Sequence, residues 1–180
     1  IIKKRYSNDD QIAIILNKED SEEDRIRYDR MMQWREFAAE LARKIVDNFK
    51  VMASKQTKIY LCGDAGTGKT QITSSIAFEV IHKYETLCYF LKTRDLYDAI
   101  FDYSNNNEKL RELREKVLRK DIKLLVIDDM GSEIPKADNR LNEYITEFNK
   151  LIRNFQESRT EYVILMTSNV MPEKMKELYA

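Results

Sequence analysis

The sequence predicts a three-layer α/β fold built on a parallel sheet, and three observations carry that expectation. Apolar runs near residues 58–62, 86–91, 122–128 and 161–167 are short and continuous, as strands buried on both faces are. Longer segments with apolar residues at helical spacing alternate with them, the pattern of strand–helix–strand units. Three of the runs end in glycine or in polar side chains, and a parallel sheet gathers such ends at one edge, where ligands bind.

In chain order, residues 1–20 come first, and Ile12 to Leu16 read as a strand or as a helical turn. Ser21-Glu22-Glu23-Asp24 resembles a capping box that opens a long helix. Trp34, Phe37, Ala38, Leu41, Ile45 and Phe49 then recur at helical spacing and are expected to pack on the sheet or on a neighbouring subunit.

The first strand, Lys58-Ile59-Tyr60-Leu61-Cys62, runs into Gly63-Asp64-Ala65-Gly66-Thr67-Gly68-Lys69-Thr70, followed by Gln71. That run fits the phosphate-binding loop G-x-x-x-x-G-K-[ST] at every fixed position. The chain has 4 glycines in all, against about a dozen for an average chain of this length. Three of them stand in the loop, where backbone has to approach a ligand closely. Behind it, Ile72, Ile76, Ala77, Val80 and Ile81 mark one face of a helix. Strand, loop and helix N-terminus together place free amide hydrogens around phosphates. Lys69 would meet them as a point charge, and Thr70 would offer its hydroxyl to Mg²⁺. The ligand class is a nucleoside triphosphate.

A loop of this kind needs an acid on the metal side, and Leu124-Leu125-Val126-Ile127-Asp128-Asp129 supplies two at a strand end. Asp128 is placed for Mg²⁺ as in a Walker B strand, and Asp129 for orienting or deprotonating a water. The last apolar run ends in Thr167-Ser168-Asn169. Asn169 either reaches the γ-phosphate or its water, or it joins Ser168 in capping the helix after Met171-Pro172.

These motifs in this order resemble the AAA+ ATPases. Asp128-Asp129-x-Gly131-x-Glu133 followed by Thr167-Ser168-Asn169 is similar to the bacterial replicative helicase loaders of the DnaC and DnaI type, and the transposition helper IstB is similar too. The resemblance covers about residues 58–180. It implies Walker A at Lys69 and Thr70, Walker B at Asp128 and Asp129, and sensor 1 at Asn169. It also implies a sheet order of 1-4-3-2, ATP and ADP as ligands, a DnaB-like ring helicase and single-stranded DNA as partners, self-association through the ATP site, and a cytoplasmic setting. Many AAA+ proteins carry Glu where Asp129 stands, so slow turnover is expected. The family continues after sensor 1 with an arginine finger, a last strand and a helical lid, whereas this sequence ends at Ala180 and opens Ile1-Ile2-Lys3 without methionine. The expectation is a fragment: an N-terminal linker segment and long helix over 1–50, and an AAA+ core over 51–180 that lacks the lid and has weak or no activity by itself.

Composition narrows the remaining classes. No apolar run reaches the roughly 18 residues of a membrane span, and no signal peptide is visible. Cys62 and Cys88 lie in predicted strands and read as free thiols, and with a single histidine, His82, they fall short of a zinc ligand set. Charge balances at 31 basic and 31 acidic residues, so no global field draws the chain to nucleic acid. In the resembling loaders a helical insertion faces single-stranded DNA, which makes Arg111, Arg114, Arg119 and Lys120 candidates for phosphate contact. Glu112 with Lys116 and Glu115 with Arg119 equally read as ion pairs on a solvated helix face. Ser104 to Asn107 reads as a loop between two helices. Asn17-Lys18-Glu19-Asp20 fits the guanine-reading motif N-K-x-D, in an order that would resemble a circularly permuted GTPase. A four-letter match is cheap in a chain this rich in Lys, Glu, Asp and Asn.

Overall fold

The computed structural model describes residues 22–102, 107–132 and 140–178. Ile12 to Leu16, the N-K-x-D match, Ser21 of the capping box, most of the Ser104–Asn107 loop and Glu133 lie outside the described residues. The chain divides into two compact units, Ile1–Leu41 and Ala42–Ala180. Helix α1, Glu22–Asp47, supplies the described part of the first unit up to Leu41.

In the second unit the elements after α1 alternate in the expected way. They are α2 (Phe49–Ser54), β1 (Lys58–Cys62), α3 (Lys69–Tyr84), β2 (Leu87–Lys92), α4 (Thr93–Ile100), α5 (Glu108–Val117), β3 (Ile122–Met130), α6 (Leu141–Glu157), β4 (Val163–Ser168) and α7 (Pro172–Leu178). The four strands are all parallel, in the order β1-β4-β3-β2. The predicted fold class and strand order are therefore what the chain adopts, with strand limits shifted by one or two residues.

Alternation along the central strand divides the core into two layers. Leu125 and Ile127 of β3 join a cluster with Leu96, Leu113, Tyr144, Phe148, Leu151 and Phe155, which come from α4, α5 and α6. Leu124 and Val126, on the opposite face, are fully buried as well, on the side where α3 presents Ile76 and Val80. Burial on both faces is why these strands read as unbroken apolar runs rather than alternating ones.

The start of the second unit is pinned to the sheet by backbone and rings. Tyr162 N–H donates to Ala53 O and Ile164 N–H to Thr57 O, both at 3.0 Å. Tyr84 Oη donates to Val46 O at 2.6 Å, and its ring lies 5.3 Å from that of Phe49. Of the helical stripe, Ile45 and Phe49 in the second unit are buried, and Phe37 in the first unit is 55% exposed. Cys88 donates to Ala77 O at 3.7 Å, and burial pushes its thiol up to about 12. His82 is exposed, with its ring 4.3 Å from Phe78.

Candidate nucleotide-binding site

Parallel strands place the ends of β1, β3 and β4 at one edge of the sheet, and the site is assembled there from three separated stretches of chain. Residues 63–68 form the loop between β1 and α3. Gly63 N–H donates to Ser168 O at 3.3 Å, which ties the loop to β4. Gly68 holds a left-handed φ of 85° immediately before α3, a conformation that strains any side chain. The Lys69 ammonium bends back into the loop and donates to Gly63 O and Asp64 O at 2.8 Å and to Thr67 Oγ1 at 3.3 Å. Its three donors thus meet three acceptors, all neutral oxygens that an anionic phosphate oxygen outcompetes.

The acidic side is built around a break in β3. Pairing between β3 and β4 runs regularly to Ile127 opposite Met166 and resumes at Met130 opposite Ser168. Asp128 and Asp129 lie in the interruption, and Asp129 takes a left-handed φ of 60°. Backbone groups that leave a ladder need other partners, and side-chain hydroxyls provide them. Thr93 donates to Asp128 O at 3.2 Å and to Asp129 O at 2.9 Å. Ser132 Oγ donates to Asp129 O at 2.7 Å, and Ser168 Oγ to Met130 O at 2.6 Å. Thr167 Oγ1 accepts from Asp129 N–H at 2.9 Å and donates to Asp128 Oδ1 at 2.7 Å.

Asp128, 5% exposed, meets the loop through Thr70, whose Oγ1 lies 2.9 Å from Oδ1 and 3.2 Å from Oδ2. By giving its proton to Asp128, the Thr70 hydroxyl keeps oxygen lone pairs for a cation. A hydroxyl and a carboxylate are hard oxygen donors and suit Mg²⁺, which keeps most of its shell for phosphate and water. Asn169 Nδ2 donates to Asp129 Oδ1 at 3.3 Å. The Asn169 amide thus meets Asp129, while Ser168 Oγ donates to Met130 O and accepts from Val170 N–H, and α7 starts at Pro172.

A cleft of about 700 Å³ joins these groups, lined by Ala65, Gly66, Gly68, Lys69, Thr70, Gln71, Ser74, Asp128, Asp129, Thr167 and Asn169. That volume is within the range of small-ligand sites. Gly63, Asp64 and Thr67 shape the loop behind it. Thr93 and Thr167 were not among the sequence candidates. Thr167 was marked in the sequence only as part of Thr167-Ser168-Asn169, and Thr93 only as a hydroxyl next after a buried strand.

The insertion residues are arranged differently from their expected pairing. Arg114 donates to Glu147 of α6. Arg119 pairs with Asp121 at 2.7 Å rather than with Glu115, because α5 ends at Val117 and an i,i+4 relation does not reach beyond it. Lys116 does pair with Glu112, at 3.7 Å. Arg111 lies 3.8 Å from Glu108 and 3.9 Å from Glu115, and Lys120 is exposed.

Comparison with known proteins finds the same fold. Domain III of the Thermotoga maritima replication initiation protein DnaA superposes with a TM-score of 0.60 at 23% identity, over 78% of this chain and 53% of that one. The DnaC helicase loader gives 0.55 at 19% identity, over 81% and 78%. AMPPCP-bound DnaA from Aquifex aeolicus gives 0.52 at 17% identity, over 91% and 46%. The chain thus spans about half the length of the DnaA structures, and at these identities the likeness is one of fold. No curated protein matches it. The family model of the bacterial DnaA ATPase domain matches residues 31–180, most of the sequence, and the chain belongs to that family of AAA+ ATPases.

Proposed function

We propose that this chain binds ATP with Mg²⁺ in the cleft and hydrolyses it slowly, as the ATPase core of a protein that delivers a ring helicase onto single-stranded DNA. The observation that supports the chemistry is the meeting of Thr70, Asp128, Asp129 and Asn169 beside the phosphate-binding loop. Backbone amides of the loop and of the first turn of α3 surround the phosphates. Lys69 exchanges the carbonyls of Gly63 and Asp64 for phosphate oxygens. Thr70 and Asp128 would hold Mg²⁺, which would supply charge neutralisation to the phosphates. Asp129 accepts the proton of the attacking water, and Asn169 fixes its carboxylate. Aspartate is one methylene shorter than glutamate and holds that water less well, so turnover is slow, which suits a switch better than a motor.

Membership in a DnaA-type family supports a role in replication. The loader role rests on Asp128-Asp129-x-Gly131 with Thr167-Ser168-Asn169, and it adds self-association through the ATP site. Among the DNA candidates, Arg111 and Lys120 fit contact with phosphate better than Arg114, which Glu147 already engages. No described helix is long and apolar enough to cross a membrane, and a cytoplasmic replication complex is the setting we propose.

Calorimetric titration with ATP and with GTP, each with Mg²⁺, tests the site. ATP binds in preference to GTP, and Lys69→Ala lowers the affinity about 100-fold, the loss of a charge-assisted contact of roughly 3 kcal/mol. A preference for GTP, or unchanged affinity in Lys69→Ala, overturns the assignment. For the loader role, a purified DnaB-like helicase is captured on single-stranded DNA in ATP and released in ADP; capture indifferent to nucleotide removes it.

A further inference from the structure

The interruption in β3 sets two residues, Asp128 and Asp129, against one residue of β4, Thr167, because pairing passes from Ile127 opposite Met166 to Met130 opposite Ser168. This two-against-one arrangement is a bulge, and a bulge leaves backbone groups without ladder partners. Thr167 is 1% exposed, and its single hydroxyl fills both needs at that point. The oxygen accepts Asp129 N–H at 2.9 Å, and the proton goes to Asp128 Oδ1 at 2.7 Å. Donor and acceptor are used by different carboxylate-bearing residues, so one side chain sets the backbone of Asp129 and the carboxylate of Asp128 at the same time.

We infer that Thr167 is the positioning residue for ATP hydrolysis, coupling the metal-side carboxylate of Asp128 to the water-side residue Asp129. The inference rests on the ATPase reading above, but the clamp itself exists without nucleotide. Three features support it. Asp128 Oδ1 also accepts Thr70 Oγ1 at 2.9 Å, so the Thr167 proton fixes the carboxylate rotation that meets the loop. Asp129 sits at a φ of 60°, which persists only where its surroundings hold it. Asn169 stands two residues beyond Thr167 on the same strand end and reaches Asp129 Oδ1 at 3.3 Å. A shift of the end of β4 therefore moves the Asn169 amide and the Thr167 hydroxyl together, and both Asp128 and Asp129 follow.

The role demands a small side chain that donates and accepts at once, so Thr167→Ser keeps it and the isosteric Thr167→Val removes it. In the nucleotide-free protein, amide exchange read by NMR is about tenfold faster at Asp129 in Thr167→Val, from the loss of one buried hydrogen bond, while Leu125 and Ile164 in the ladder keep their protection. ATP affinity measured in EDTA stays at the wild-type value, the gain in affinity on adding Mg²⁺ is lost, and turnover falls about 10- to 100-fold, as for other partners that orient a metal ligand. Thr167→Ser restores most of each. Thr167→Cys keeps the size, weakens both bonds and gives the same directions if the valine variant does not fold. Unchanged exchange at Asp129 in Thr167→Val, or a serine variant as impaired as the valine one, overturns the inference. If wild type binds no nucleotide, the ATPase reading falls, and amide exchange still decides whether Thr167 holds Asp129.

Discussion

At the amino edge of the sheet one buried side chain has a partner for every donor, while at the carboxyl edge the Lys69 ammonium is held by bonds that a ligand can replace. Arg159, 9% exposed, donates to the carbonyls of Ile122, Phe155, Val117 and Arg119 and to Ser158 Oγ, and its guanidinium lies 3.9 Å above the Phe155 ring. All five of its N–H groups are used. Burial pulls its basicity below the ordinary arginine range, with Asp121 acting the other way. The bonds join the ends of α5 and α6 to the first residue of β3, so this arginine closes the fold on the side away from the cleft. Lys69 also meets an acceptor with each donor, but its partners are exchangeable oxygens of a loop. Burial of polar groups by itself therefore does not mark a functional site. What separates the two edges is whether the partners are locked in helix and strand ends or lie in a loop and a bulge; a cavity lies beside each, of about 330 Å³ at Arg159 and about 700 Å³ at Lys69.

That contrast can be broken by mutation. The largest effect is expected from Asp129→Asn, which lowers turnover about 10²- to 10⁴-fold, the span of general-base contributions, with stability and nucleotide affinity kept because asparagine tolerates a left-handed φ. Wild-type turnover in that variant would take the water-orienting role away from Asp129. Arg159→Met is expected to reverse the pattern. Its loss strands several buried carbonyls and destabilises the domain by about 3 kcal/mol or more in urea unfolding, while nucleotide affinity below the transition stays near wild type. Lost affinity with unchanged stability would mean that the two edges are coupled. The smallest effect falls to Gly131→Ala. Gly131 has a φ of 88°, and a Cβ there would stand 3.1 Å from Val170 Cγ2. The left-handed conformation costs about 1–2 kcal/mol with a Cβ present. Because this glycine follows the bulge, the strain should appear in turnover as well as in thermal stability, and a variant that changes neither would show that the bulge relaxes freely.

The strands and the phosphate-binding loop were legible in the sequence because each is written in a contiguous stretch. Leu124 to Ile127 is apolar on both faces, as a central parallel strand requires, and Gly63 to Thr70 carries its geometry in its own glycines. Asn169 could be read two ways because a polar residue after a strand serves a helix cap and a ligand site equally well. Its amide meets Asp129 only once β3 and β4 are neighbours. Arg114 and Arg119 read as DNA candidates or as solvated helix residues, and in the structure they pair with Glu147 and Asp121. The carboxylate on α6 and the end of α5 at Val117 decided that, and neither is visible in local charge spacing.

The sequence by itself determined the layered fold class, the four strands and the loop around Lys69, since periodicity and backbone permissiveness act over a few neighbouring residues. Tertiary structure alone decided how the two aspartates are presented. The break in β3 exists only against the register of β4, and Thr93 and Thr167 reach it from 35 or more residues away in sequence. A hydroxyl at a strand end has no meaning until the opposing strand leaves an amide and a carboxylate unmatched beside it, and pairing between distant strands is what creates that need.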